Sequence, residues 1–381
     1  MKKRIMCVFG TRPEAVKLAP VLKSLRQSAI AQPIVVLTAQ HREMLDQMLE
    51  WFDIHPDYDL DVMRPKQSLP ELTARVLTKI DEAFQHFQPD LVLVQGDTVS
   101  VMAAALAAFY RKIPVGHVEA GLRTNDMYNP FPEEMARRQT SRIATLHFAP
   151  TEKAVENLKA EGITEHVYLT GNTVIDALQD TVGRLDQAKF DKSIFGGVDF
   201  EGHRVLLVTA HRRENWGTSM DDIAQTLRRI ADAHKDVQIL LPMHKNPVVR
   251  NSIEPVFANH PQLIAIEPLD YVPFVYAMQK CSFILTDSGG VQEEAPTLGK
   301  PVLVMRTTTE RPEAVKAGAA LLVGISQEAI FKAADELLNS EASYRKMQVS
   351  CSPYGDGKAA PRIIQAIEEY FSLKESHALP V

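Results

Sequence analysis

A chain of 381 residues exceeds what one hydrophobic core serves, and a formal net charge of −6 with no basic tail or stripe excludes a nucleic-acid binder. Cys7, Cys281 and Cys351 are an odd number without metal-ligand spacing, which fits reduced thiols in a cytoplasmic protein and excludes a disulfide scaffold. No membrane span is expected, because the most apolar stretch, Val101 to Tyr110, is only about half a span long, and the apolar run after Met-Lys-Lys-Arg stops at Phe9, too early for a signal peptide.

The first element is a strand over Arg4–Phe9, followed by Gly10-Thr11-Arg12-Pro13-Glu14, with Pro13 suited to the first position of a helix that carries Lys17. Arg12 and Lys17 then stand about one turn apart at a helix N-terminus, where they can hold phosphate; singly, each would read as a solvated surface cation. Further strands are expected at Ile34–Thr38, Leu91–Gln95, Pro114–Val118, Leu146–Ala149 and Val167–Leu169, with helical patterns between them. Asp97 follows the strand LVLVQG and precedes a helix over Val99–Tyr110, so alone it reads as an N-cap. Glu119 ends a short apolar strand and needs either a purpose or a partner, for which Arg123 is the candidate. Glu133 and Glu134 follow Pro132 at a helix start, where acidic residues are common for dipole reasons alone.

Gly196, Gly197 and Gly202 break the periodicity among charged residues, so the domain boundary is expected between Asp176 and Gly202. The second half repeats the scheme, with strands at Val205–Thr209, Gln238–Leu241, Leu263–Ile266, Ser282–Thr286, Val302–Val304 and Ala320–Val323. His211 follows the strand RVLLVTA, where a lone histidine would be a structural hydrogen-bonding residue. Ser288, Gly289 and Gly290 follow an apolar strand and leave backbone N–H groups open to an anion at a helix start, and Glu294 lies one turn on, placed to accept ribose hydroxyls. The pattern is α/β: two Rossmann-like, doubly wound parallel-sheet domains, with a diphosphate held between two strand-turn-helix sites. GxGxxG is absent, so no nicotinamide or other cofactor is expected, and no metal site is legible.

The strings FGTRPEAVKLAP (from Phe9), QGDT (from Gln95), HVEAGLRT (from His117), FPEEMARR (from Phe131), AHRREN (from Ala210) and DSGGVQEEAPTLGKPVLVMRTTTERPEAV (from Asp287) resemble, together and over nearly the whole chain, the bacterial non-hydrolysing UDP-N-acetylglucosamine 2-epimerases. The resemblance implies a glycosyltransferase-B-like fold whose domains face a central cleft: residues 1–175 carrying acid/base groups, 176–360 binding UDP, and a helix over 361–381 packing back on the first domain. It further implies a cytoplasmic homodimer that interconverts UDP-GlcNAc and UDP-ManNAc for cell-surface polysaccharide, with no nucleic-acid or membrane partner. By the same resemblance Asp97, Glu119, Glu133 and His211 are catalytic. Arg12, Lys17, Arg212, His244, Phe274 (near the uracil), Ser288, Gly289, Gly290, Glu294 and Arg311 bind substrate, with Arg306 and Glu310 flanking a closing loop. A second substrate molecule would bind as activator at Gln40, Glu43 and Lys66, where family members carry glutamine in place of Glu43 and arginine in place of Lys66.

C2 of an N-acetylhexosamine has no adjacent carbonyl to acidify its proton, so a simple proton swap fails. The family's route eliminates UDP to 2-acetamidoglucal and adds it back, which calls for acid/base groups and a stabilised leaving diphosphate. A UDP-sugar glycosyltransferase or a hydrolysing epimerase on the same fold shares the phosphate sites, and a UDP-sugar sensor would need Arg12, Ser288 and Glu294 but not the carboxylates.

Overall fold

The computed structural model describes residues 2–38, 42–64, 66–212, 215–349 and 352–377. It divides into two compact units, one of residues 1–177 and 355–381, the other of residues 178–354.

The first unit opens with β1 (Lys3–Phe9), α1 (Arg12–Gln27), β2 (Ala31–Leu37), α2 (Arg42–Trp51), β3 (Tyr58–Asp59) and α3 (Leu69–Phe87). It continues with β4 (Leu91–Gln95), α4 (Val99–Tyr110), β5 (Val115–Val118), α5 (Glu133–Ile143), β6 (Leu146–Ala149), α6 (Glu152–Ala160) and β7 (Val167–Leu169). The strands form one parallel sheet in the order β3-β2-β1-β4-β5-β6-β7. The order reverses between β1 and β4, and a doubly wound sheet binds its ligands in the crevice at such a point, beyond the carboxyl ends of the strands. Every residue of β4 is buried, as a parallel strand covered by helices on both faces requires. The boundaries read from hydrophobic runs hold to within a few residues; β3 was not anticipated, because two residues at a sheet edge leave no period to read.

α4 (VSVMAAALAAFY) is buried on most sides, and its alanines at 103–105, 107 and 108 let α3 and α5 pack closely against it. In β5, Gly116 is dictated by space: a methyl there would lie 2.5 Å from Leu93 Cδ2 and 3.0 Å from Phe148 Cε2. α7 (Thr173–Gly183) leads into the second unit.

That unit contains β8 (Arg204–Thr209), α8 (Thr218–Ala233), β9 (Val237–Pro242), α9 (Pro247–Phe257), β10 (Leu263–Ile266), α10 (Tyr271–Lys280), β11 (Phe283–Thr286) and α11 (Gly289–Glu294). β12 (Val302–Val304), α12 (Pro312–Lys316), β13 (Ala320–Leu322), α13 (Gln327–Asn339) and α14 (Glu341–Met347) complete it. Its parallel sheet, β10-β9-β8-β11-β12-β13, reverses between β8 and β11. Leu206, Val208, Ile239, Leu241, Phe283 and Leu285 are almost wholly buried in its core, each contributing roughly 1.5–3 kcal/mol by area.

The chain then returns to the first unit as α15 (Ala359–His377). Its buried Ile363, Ile367 and Phe371 pack with α1, and Glu368 Oε1 accepts the Ser28 hydroxyl at 2.8 Å. Asp176 caps its N-terminus by accepting the Ala359 and Ala360 N–H groups at 3.2 and 2.9 Å. Among the described residues no helix is long and apolar enough to cross a membrane.

Candidate active site

Arg12 and Asp97 follow the strands that flank the first unit's reversal, β1 and β4, and His211 and Ser288 follow those that flank the second's, β8 and β11; Glu119 follows the next strand, β5. In the first unit, β1 runs into Gly10 and Thr11, and Thr11 caps α1 in a capping box with Glu14. Pro13 is the second residue of that helix, which begins at Arg12. The buried Glu14 accepts the Gly10 and Thr11 N–H groups at 2.8 and 2.9 Å and the Thr98 hydroxyl at 2.7 Å. Burial raises its pKa, and those hydrogen bonds oppose the rise. Thr98, not Asp97, is the N-cap of α4, its Oγ1 accepting the Val101 N–H at 3.3 Å. Glu14 thus ties the start of α1 to the turn that carries Asp97.

Asp97 is half-buried, and Arg137 of α5 donates to its Oδ2 from Nε at 2.8 Å, with Nη2 in ion-pair contact with the same oxygen at 2.6 Å. Glu133 lies four residues before Arg137 on α5, hence on the same helix face, and its Oε2 is buried without a hydrogen-bond partner. Glu134 is instead committed: its carboxylate, fully buried, accepts from the Thr124 N–H at 3.1 Å and from Arg138 Nε at 3.0 Å.

Glu119, just beyond β5, has φ of 65°, a left-handed conformation in which a non-glycine residue costs on the order of 1–3 kcal/mol. Its carboxylate does not meet Arg123, whose guanidinium is bonded to Glu161 at 2.8 and 2.9 Å. Lys17 bonds to Glu119 Oε1, Gln95 Nε2 donates to Oε2 at 2.6 Å, and Asn172 Nδ2 lies 3.4 Å from Oε1. The ammonium expected beside Arg12 as a phosphate cation therefore sits on a carboxylate, while Arg12 is half-buried at the first turn of α1. A methyl on Gly96 would lie 3.7 Å from Glu119 Oε2, so the turn before Asp97 and the Glu119 side chain adjoin.

In the second unit Asp287, wholly buried just beyond β11, organises the turn after β8. Its Oδ2 accepts the His211 and Arg212 N–H groups, each at 2.8 Å, and Asn215 Nδ2 at 3.1 Å. His211 Nδ1 lies 3.3 Å from Asp287 Oδ1, and its ring stacks 6.0 Å from that of the exposed His244. Burial lowers the His211 pKa below its ordinary value, and the Asp287 carboxylate opposes that shift.

Ser288 caps α11 with backbone only, its side chain making no cap bond. A methyl on Gly289 would lie 3.4 Å from Glu310 Oε1, 3.7 Å from Arg212 Nη2 and 3.8 Å from Arg311 Nη2, so two of the expected substrate-binding arginines gather over that glycine. Arg306 Nη1 bonds to Glu310 at 2.7 Å. Burial would raise the Glu310 carboxyl, but Arg311 and Arg306 outweigh it and hold the pKa at about 2. Arg311 is itself fixed by the buried Glu293, and its backbone carbonyl accepts from the Tyr354 hydroxyl at 3.3 Å. Glu294 is buried in α11, and Phe274 is half-buried on α10. Of the expected activator residues, Lys66 is exposed with φ of 57°; Gln40 and the side chain of Glu43 lie outside the described residues.

Arg137, Glu14, Asp287 and Glu293 were not singled out from sequence for any role. Arg137 carried a usable signal, four residues after Glu133 on an expected helix, and Glu14 stands three residues after Thr11 in a capping-box spacing; Asp287 and Glu293 act through contacts with no local pattern.

The family model described as UDP-N-acetylglucosamine 2-epimerase matches residues 23–368. The chain belongs to this family. The UDP-N-acetylglucosamine 2-epimerase of Yersinia pestis is 48% identical over 371 residues, covering 96% of this chain and 99% of that one. The Neisseria meningitidis UDP-GlcNAc 2-epimerase structure, bound to UDP-GlcNAc, matches with a TM-score of 0.89 at 46% identity, covering 96% of this chain and all of that one (100%). Acinetobacter baumannii MurG, at 15% identity and a TM-score of 0.60, shares only the fold; it covers 96% of this chain and 99% of its own. Within the 2-epimerase family, the two parallel-sheet Rossmann-like units are the architecture on which these side chains are mounted.

Proposed function

We propose that the protein interconverts UDP-N-acetylglucosamine and UDP-N-acetylmannosamine without hydrolysis, by eliminating UDP and adding it back. The observation that carries the reading is the carboxylate cluster beyond β4 and β5, in which Glu119 is held in a strained conformation on Lys17 and Asp97 is clamped by one oxygen. Backbone strain of this kind persists where the surroundings over-determine it, as at reacting sites.

In the forward direction a carboxylate takes the C2 proton and the C1–O bond breaks, its electrons leaving with UDP to give 2-acetamidoglucal. A second acid then protonates C2 on the opposite face, and the UDP oxygen re-forms the bond at C1. Asp97, Glu119 and Glu133 are the acid/base groups, a role that contributes on the order of 10²–10⁴-fold. Arg12, the Gly289 and Gly290 N–H groups, Arg212 and Arg311 take the diphosphate, and Phe274, His244 and Glu294 the uridine. His211, whose burial disfavours the charged form, donates a hydrogen bond to the departing phosphate and gains a proton more readily as negative charge develops beside it. The family resemblance and the relative crystallised with UDP-GlcNAc support this substrate, and we assign the product to surface-sugar synthesis in the cytoplasm by a homodimer.

Asp97→Asn tests the assignment. Turnover should fall at least 100-fold while UDP affinity stays within about threefold. Retained turnover would remove Asp97 from the reaction, and retained ligand binding with no turnover in the wild type would favour a sensor.

A further inference from the structure

We infer that Arg137, anchored by Glu134, is the positioning residue of the acid/base cluster: it fixes Asp97 by one carboxylate oxygen and leaves the other to the substrate. The inference rests on the reading of Asp97 as a reacting group. Both contacts from Arg137, Nε at 2.8 Å and Nη2 at 2.6 Å, fall on Oδ2 of Asp97. The usual fork of a guanidinium on a carboxylate engages both oxygens. Here, among the described residues, both contacts fall on Oδ2 and Arg137 leaves Oδ1 untouched.

The clamp has its own support. Arg137 is 8% exposed, and its Nη1 lies 3.4 Å from Glu134 Oε2, an oxygen that also accepts the Thr124 N–H at 3.1 Å. Glu134 Oε1 takes Arg138 at 3.0 Å. Glu134 is therefore the fixed end of a relay from the 124–132 loop through Arg137 to Asp97. Glu133 stands one residue from that anchor and one turn from Arg137, so a single helix aims two carboxylates at once. A guanidinium is required because one ammonium cannot hold Asp97 and Glu134 together in a plane. Glu134, although adjacent to Glu133, has no spare oxygen with which to move a proton.

The test is a set of variants assayed for kcat and KM with UDP-GlcNAc, UDP affinity and thermal midpoint. Arg137→Met is expected to lower kcat about 100-fold with KM and UDP affinity within about threefold, and Arg137→Lys to recover part of the loss. Arg137→Met combined with Asp97→Asn should be no slower than Asp97→Asn alone, because both remove one function. Glu134→Gln, which keeps its shape, should lower kcat in the same direction and stands in for Arg137→Met should that variant not fold. Full kcat in Arg137→Met or Glu134→Gln, with Asp97→Asn inactive, overturns the inference and leaves the proposed function intact. Losses that multiply in the double variant also overturn it. Full turnover in Asp97→Asn overturns the catalytic assignment and the inference together.

Discussion

The Glu119–Lys17 pair shows how a carboxylate proposed to react is held at the scale of single residues. Its side chains are 8% and 14% exposed, so removing one partner takes the opposite charge away from a largely buried ion. Lys17→Met should destabilise the protein by about 3 kcal/mol, and Lys17→Met/Glu119→Gln should recover part of that, both read from urea unfolding. Glu119→Gln keeps the size of the side chain and should cut turnover at least 100-fold while UDP binding stays within about threefold, measured by titration calorimetry. A loss of UDP affinity equal to the loss of turnover would make Glu119 a binding group instead. Neither partner was legible as half of this pair, since residues 17 and 119 are brought together by the β1–β4–β5 order and by nothing local. Arg123, expected as the partner of Glu119, is instead taken by Glu161, 38 residues further along the chain, for the same reason.

The strands and helices make their own contribution through what they bury. His117 in β5 and His147 in β6 are register partners, and burial pushes each pKa from 6.5 down to about 4. Unfolding lets both take up protons at higher pH, so their contribution is fully present above pH 6.5 and is lost as pH falls toward 4. Between pH 7 and pH 5 this amounts to roughly 2 kcal/mol for each histidine. His117→Gln, which can still reach the Gly96 carbonyl that His117 Nε2 meets at 2.7 Å, should lose about 2 kcal/mol less than wild type over that interval. Equal losses would show that His117 titrates normally. At this scale the sequence was most legible: runs such as LVLVQ and FILT announce buried parallel strands, because no face of them needs a polar residue. Candidate residues stood out where a strand ended in an ionisable side chain, as at Asp97, Glu119 and His211, and the family resemblance supplied the roles proposed for them. It was not legible where polar groups serve each other across the sheet, as Asp287 serves His211 and Glu14 serves Thr98.

For the whole molecule, the division into units separates the proposed labour. The acid/base carboxylates all belong to residues 1–177, and the glycine turn with its arginines to residues 178–354. The second unit is one unbroken segment with its own six-stranded sheet. Residues 178–354 expressed alone should therefore unfold cooperatively in calorimetry and bind UDP, more weakly than the full chain. The first unit depends on α15, so a chain ending at Tyr354 should keep the transition of the second unit and lose that of the first. Survival of both transitions would show that α15 adds little.

Epimerisation through C2 proton exchange is read directly by proton NMR of UDP-GlcNAc with the full chain in D2O. UDP-ManNAc should grow with deuterium entering at C2 of both sugars and no free sugar released. Epimer that keeps its C2 proton, release of ManNAc with UDP, or an unchanged spectrum would contradict the proposed function.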